Sequence, residues 1–324
     1  MSGIGVVFNP KSKHNLRDPS AAARLARRLG DGGTVREARS LDELYRIAED
    51  FRRADIDVLA ISGGDGTNHV TLTGFIDVYG GGAMPQVALL RGGTMNTVAN
   101  SVGVRRGKPE GLLGRLMRDY ARRAVEPLEN VERFVMRVAS DRGGRGDRAQ
   151  YGFLFGTGVV HGFLAEYNRG GEPSPLVAVK TLARGIGSAL VSGHTIRRIA
   201  QPFRGAVHFE DGTSWPMRDY LAIAAGTISH IGLNFKPFHR HAEEVGAFHA
   251  LAIDASPLSF IKELPRIHAG LPMRPGRARE AVSHRMTLTG ESDPVRYMID
   301  GDLHESPSPI HVTSGPAVRL IVLR

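Results

Sequence analysis

Three short turns, rich in glycine or hydroxyl residues and each closing an apolar run, restrict this chain more than anything else in it. The sharpest is Ser62-Gly63-Gly64-Asp65-Gly66-Thr67, directly after Val58-Leu59-Ala60-Ile61. Glycine lets backbone N–H groups crowd around an anion where side chains would clash. A turn of this kind that leads into a helix is a cradle for phosphate. It lacks the Gly-Lys-Ser/Thr ending of a P-loop and the spacing of Gly-x-Gly-x-x-Gly. Asp65 can hold the turn, position a cation or accept a proton. The turn read alone also suits a purely structural role.

The flanking pattern sets the turn in a fold. Apolar runs at 5–8, 34–38, 57–62 and 86–90 read as strands, and helical spacing at 20–29 and 41–53 reads as helices. Further helices are expected after Thr67 and over 96–102. Repeated β–α units imply an α/β domain with a parallel sheet covered on both faces. Ligands of such sheets bind at the carboxyl ends of the strands. Asn9-Pro10-Lys11-Ser12, residues 63–67 and Gly92-Gly93-Thr94-Met95-Asn96 all fall at those ends. The last of these suits a second phosphate or a polar head group at a helix start, or simply a capped helix after a tight turn. The first is either a phosphate contact or a turn with solvated lysines.

From about residue 128 the texture changes to short alternating runs at 134–139, 150–155, 206–209, 220–224, 248–253, 285–289, 295–299, 310–313 and 318–323. These predict a mostly antiparallel β-sandwich. The expected division is therefore 1–127 and 128–324, with the last strand free to pack back on the first domain. Residues 141–147 read as a hairpin tip. A helical insertion is expected over 174–198. Its Leu176, Val177, Val179, Leu182, Ile186, Leu190 and Ile196, interspersed with Lys180, Arg184, Arg197 and Arg198, suit packing on the sandwich or contact with an anionic membrane. Asp300-Gly301-Asp302 is a strong hairpin signal. It also offers a carboxylate pair that can bind Mg²⁺ or take a proton from a hydroxyl.

Composition excludes some chemistry. With no cysteine, disulfides and thiolate metal sites are ruled out. The thirteen histidines show no metal-ligand spacing, so His230, His239 and His241 are expected at surfaces or interfaces. No Gly-x-Ser-x-Gly elbow supports a hydrolase. The start has no basic leader, and no apolar stretch approaches the roughly 18 residues of a membrane span, so a soluble cytoplasmic protein is expected. The net charge of +9, mostly arginine, favours a polyanion: nucleotide, anionic membrane or nucleic acid.

Asn9-Pro10-Lys11-Ser12, Gly63-Gly64-Asp65-Gly66-Thr67, Gly93-Thr94-Met95-Asn96 and the late Asp300-Gly301-Asp302, in this order, resemble the diacylglycerol kinase catalytic family, which includes bacterial lipid, sphingosine and ceramide kinases. The stretch from Gly226-Thr227 through Ile231-Gly232-Leu233, Pro237, Ala242 and Val245-Gly246 is similar to that family's second half. NAD kinase and phosphofructokinase share the Gly-Gly-Asp-Gly turn and the first-domain fold, without this second half. The resemblance implies an ATP- and Mg²⁺-dependent kinase acting on a lipid hydroxyl, with peripheral contact to an anionic membrane and no specific nucleic acid; a second copy of the chain is a candidate partner. It implies that Asn9, Ser12, Gly63, Gly64, Asp65, Gly66, Thr67, Gly93, Thr94 and Asn96 line the nucleotide site. It makes Asp302, where the family has Glu, the general base, with Asp300 and Asp65 as supporting catalytic carboxylates and metal ligands. In that family the site lies in a cleft between the domains. The chain departs from the family at Lys13, Val70, Met95, Thr97 and Val245, where Gly, Glu, Gly, Asp and Asp are usual. These departures keep a second expectation alive, a weakly active nucleotide- or lipid-binding homologue. A third is a soluble nucleotide kinase of NAD kinase type.

Overall fold

The computed structural model describes residues 3–80, 84–141, 148–169, 175–190 and 199–324. Residues 142–147 of the expected hairpin tip, and residues 174 and 191–198 of the expected helical insertion, lie outside the described residues. Two compact units emerge: Met1–Arg133 with Pro316–Arg324, and Phe134–Gly315.

The first unit alternates strands and helices. In order they are β1 (Ile4–Phe8), α1 (Lys13–Leu16), α2 (Ala21–Leu29), β2 (Gly33–Glu37), α3 (Leu41–Arg53), β3 (Val58–Ser62), α4 (Asp65–Tyr79), β4 (Gln86–Leu89), α5 (Thr97–Ser101) and α6 (Pro109–Arg122). The strands pair in parallel in the order β2-β1-β3-β4, and the end of the chain's last strand joins beside β4 through Leu320 and Val87. Every residue of β1 and β3 is buried, as central strands of a sheet with two covered faces must be. α3 starts at Ser40, whose hydroxyl accepts the Glu43 N–H, and buries Leu44, Ile47, Ala48 and Phe51 on one face. The α3 and α4 layers meet through the Phe51 and Phe75 rings, 6.2 Å apart. This layering brings the carboxyl ends of β1, β3 and β4, with the turns that follow them, to one edge of the unit.

The second unit is antiparallel. It contains β5 (Asn130–Ser140, whose first residues belong to the first unit), β6 (Gln150–Gly152), β7 (Leu154–Gly156), α7 (Val159–Arg169), α8 (Pro175–Leu190), β8 (Phe203–Phe209), β9 (Ser214–Tyr220), β10 (Ala222–Gly226), β11 (Phe248–Ile253), α9 (Pro257–Ile261), α10 (Leu264–His268), β12 (Ala278–Ser283), β13 (Arg285–Gly290), β14 (Val295–Ile299), β15 (Asp302–Ser306) and the first part of β16 (Ile310–Ile321). One sheet runs β16-β13-β8-β9 with β5 and β6 alongside; the other runs β12-β11-β10-β7-β14-β15. Their inner faces share one core, in which Met136, Val207, Met286 and Val312 of the first sheet pack with Phe155, Ile223, Phe248 and Tyr297 of the second. This is the sandwich the alternating runs predict.

Three differences from the sequence reading have physical causes. The expected strand over 150–155 is broken at Phe153, where the chain leaves one sheet for the other. The expected strands at 310–313 and 318–323 are one strand, continuous through Gly315, where a Cβ would stand 2.8 Å from the Val135 carbonyl oxygen. β12 and β15 were not anticipated: β12 has no alternation of buried and exposed residues, and in β15 the one large apolar residue, Leu303, is on the exposed side.

Candidate functional site

In the first unit, the end of β1 is tied to the turn after β3. The Asn9 side-chain amide donates to Thr67 Oγ1 at 2.9 Å, and its Oδ1 accepts the Lys11 N–H at 2.9 Å. Asn15, which sequence reasoning passed over, donates from Nδ2 to the carbonyls of Asn9 (2.8 Å) and Ser62 (3.1 Å). Nothing in its local sequence signals that task. Ser12 precedes α1 and is buried, with its N–H donating to the Asn9 carbonyl.

The turns after β3 and β4 press together backbone to backbone. A Cβ on Gly93 would stand 2.2 Å from Gly64 Cα, and one on Gly92 would stand 2.9 Å from the Gly63 nitrogen. A Cβ on Gly63 would stand 2.3 Å from the Thr67 side chain. The glycines are thus demanded by one another, whatever they bind. Asp65 locks the pair: its carboxylate accepts the N–H groups of Thr97 (2.9 Å) and Val98 (3.3 Å), the opening residues of α5. Burial pushes the Asp65 carboxyl up, while the two amides and the Arg91 guanidinium pull it back toward the charged form. Asn96, left-handed at φ 48°, accepts the Gly93 N–H and returns an N–H to the Gly93 carbonyl. Thr94 lies on the same turn.

Asn9, Ser12, Gly63, Gly64, Asp65, Gly66, Thr67, Gly93, Thr94 and Asn96 therefore share one edge of one unit. α4 opens at Gly64 with no side chain capping it, so its first N–H groups are the kind that bind anions. Buried polar atoms on this edge have no hydrogen-bond partner: Ser12 Oγ, Asn15 Oδ1, Ser62 Oγ and Asn68 Oδ1. A bare helix start and the unpaired Ser12 and Ser62 hydroxyls, which can donate, fit a phosphate-bearing ligand; Asn15 Oδ1 and Asn68 Oδ1 only accept and suit a hydroxyl or water instead. Thr97, where an acidic residue is usual in the resembled family, contributes its amide to Asp65.

Asp300 and Asp302 lie in the second unit. Asp300 and Gly301, at φ 46° and 93°, form the two-residue turn between β14 and β15, closed by the Ile299–Asp302 pair. Positive φ at both positions is the type I′ geometry expected of Asp-Gly. The Asp300 side chain is turned inward at 2% exposure. Its oxygens accept the N–H of Phe153 (3.0 Å to each) and of Leu154 (2.8 Å). Phe153 is the residue at which the chain changes sheets; its carbonyl is taken by the Thr227 N–H at 3.0 Å. Asp300 thus replaces the ladder partners that this residue forgoes. Asp302 opens β15 and is half-exposed.

Asp300→Ala should therefore cost several kcal/mol, about 1–3 for each buried amide left without an acceptor. Asp302→Ala should leave stability within about 0.5 kcal/mol. Urea unfolding of the two variants beside the parent protein checks the contrast.

His230, His239 and His241, expected at surfaces or interfaces, are each half-buried; His249, for which nothing was expected, is fully buried on β11. Among the described residues no helix is long and apolar enough to cross a membrane.

Residues 3–125 match the family model of the diacylglycerol kinase catalytic domain. The fold is similar to that of a diacylglycerol kinase from Bacillus anthracis, with 12% identity, 99% of this chain and 97% of that chain covered, and a TM-score of 0.64. It is also similar to yeast NADH kinase solved with NADH, with 11% identity, 100% and 84% coverage, and a TM-score of 0.50. Among curated proteins none matches the chain. The domain match makes this a kinase-type protein, and the structural likenesses carry the fold.

Proposed function

From a chain that belongs to the diacylglycerol kinase catalytic family through residues 3–125, we propose an ATP-dependent lipid kinase that transfers the γ-phosphoryl group to a lipid hydroxyl at an anionic membrane surface. The observation that carries the reading is the double glycine turn of the first unit, clasped by Asp65 and edged with buried polar atoms that lack partners. Such a surface offers N–H donors to a triphosphate without a side chain in the way.

Backbone amides of the glycine turn and the uncapped start of α4, with Asn9, Ser12 and Thr67, would hold the phosphates. Mg²⁺, when bound with the nucleotide, neutralises charge on the β- and γ-phosphoryl oxygens. Asp65 suits such an ion: it accepts the Thr97 and Val98 amides yet is only partly buried, so lone pairs remain within reach of a hydrated ion. Asp300 does not: it is enclosed at 2% exposure, and a magnesium ion usually keeps several waters. Its part is to hold the hairpin that presents Asp302. Asp302 would act as general base. Its carboxylate takes the hydroxyl proton, the hydroxyl oxygen bonds to the γ-phosphorus, and the bond from that phosphorus to the bridging oxygen breaks as ADP leaves. The net charge of +9 favours the anionic surface on which such a substrate lies.

Incubation of the purified chain with γ-labelled ATP, Mg²⁺ and vesicles carrying diacylglycerol, sphingoid bases or a total lipid extract tests this. Label in an organic-phase product is the expected result. Label in NAD with none in lipid would replace the reading by a soluble nucleotide kinase. Tight ATP binding by calorimetry with no labelled product would replace it by a binding protein.

A further inference from the structure

Three donors of the second unit converge on elements other than the Asp300 hairpin. They come from separate elements: His239 from the segment before β11, His249 from β11 and Glu280 from β12. The antiparallel register sets His249 opposite Val282 and Glu280 opposite Leu251, so His249 and Glu280 are diagonal neighbours on one face. His239 Nε2 stands 3.4 Å and His249 Nε2 3.5 Å from the same Glu280 oxygen. Among the described residues this is the one group of His, Cys, Asp and Glu side chains gathered closely enough to share an ion.

We propose that His239, His249 and Glu280 bind a single divalent transition ion, with zinc the best match. The spacing is the first reason. Contacts of 3.4 and 3.5 Å are long for hydrogen bonds. They match the edge of a tetrahedron with metal–ligand bonds of 2.0–2.1 Å, about 3.3–3.4 Å. The second reason is burial. His249 is 0% exposed, and its Nε2, aimed at the other two donors, has only the long 3.5 Å contact to Glu280 and no well-formed hydrogen bond. A buried polar atom so poorly satisfied is costly, and an ion held at that nitrogen removes the cost. The third is donor chemistry. Magnesium and calcium take oxygen ligands. Two imidazoles and one carboxylate suit zinc, and leave one corner of a tetrahedron for water.

His239 and Glu280 are half-buried, so an ion can enter from their side. With metal on Nε2, the ring proton of His249 sits on Nδ1, which otherwise accepts the Arg240 N–H at 3.4 Å. That long contact must open when the site fills. The site is independent of the nucleotide reading: its donors lie on other elements, and its chemistry differs from that of a phosphate-bound magnesium ion.

The test uses the full chain, stripped with a chelator and then dialysed against micromolar zinc in millimolar Mg²⁺, with bound metal read by mass spectrometry. One zinc per chain is expected, together with a higher melting temperature. His239→Ala and Glu280→Gln should each lose that zinc and the temperature shift, while their metal-free melts stay close to that of the parent. A nitrogen-15 amide spectrum should show the Arg240 signal move on loading in the parent only. Zinc retained equally by the parent and both variants, or no retention by a parent that melts cooperatively, overturns the proposal.

Discussion

Asp302→Asn will slow phosphoryl transfer about 10²- to 10⁴-fold, the range set by removing a positioned general base. The substitution keeps the size of the side chain, exchanges one acceptor oxygen for an NH2 donor, and removes its basicity. Asp302 is half-exposed at the first position of β15, and the turn before it is fixed by Asp300 and Gly301. The hairpin should therefore be unchanged, the melting curve should overlay that of the parent, and the loss should appear in kcat with little change in KM for ATP. Asp302→Glu restores the acid found at this position in the resembled family and should keep measurable turnover. A single-turnover assay with labelled ATP and the accepted lipid separates these outcomes. If Asp302→Asn transfers phosphate at the parent rate, Asp302 is not the base.

Gly93→Ala will disrupt the first unit more than its size suggests. A Cβ there would lie 2.2 Å from Gly64 Cα, and both partners are backbone, so no side chain can swing aside. Ordinary carbon contacts are about 3.5–4.0 Å, so the two turns must part by more than 1 Å. Gly93 is held by the Asn96 side chain, and Gly64 is the residue from which α4 starts. Separation pulls the Asp65 carboxylate off the Thr97 and Val98 amides. The expected cost is about 3 kcal/mol, the upper part of the overpacking range, with nucleotide binding lost in calorimetry. Gly111→Ala is the contrast. Gly111 lies in α6 with no atom near its would-be Cβ, and alanine there should stabilise by about 0.5–1 kcal/mol. Equal melts for the two variants would show that the turns do not pack as described.

The phosphate turns were legible because they are local: apolar strand, glycine run and helix start follow one another within a dozen residues, and each leaves its mark on composition. The sequence did not show that Gly93 and Gly64 need one another, since that contact joins two turns some thirty residues apart. Asp300 is a sharper case. The Asp-Gly pair announced the hairpin, and the structure keeps that turn. Its carboxylate, read as a metal ligand or a supporting catalytic carboxylate, is occupied by the amides of Phe153 and Leu154, at a place where the chain changes sheets and where no residue pattern advertises an unmet amide. The cluster of His239, His249 and Glu280 was invisible for a related reason. It exists only through the pairing of β11 with β12, and β12 lacks the alternation that would have announced it as a strand.

The last strand has a consequence for how this chain comes to be folded. A ribosome releases residues in order, yet the parallel sheet begun at Ile4 gains its neighbour beyond β4 only when Pro316–Arg324 has emerged. Until then Val87 and the rest of β4 form an open margin, with backbone groups free to pair elsewhere. The nascent first unit must wait through synthesis of the entire sandwich with that margin uncovered, so completion of the sheet depends on a contact of high sequence separation.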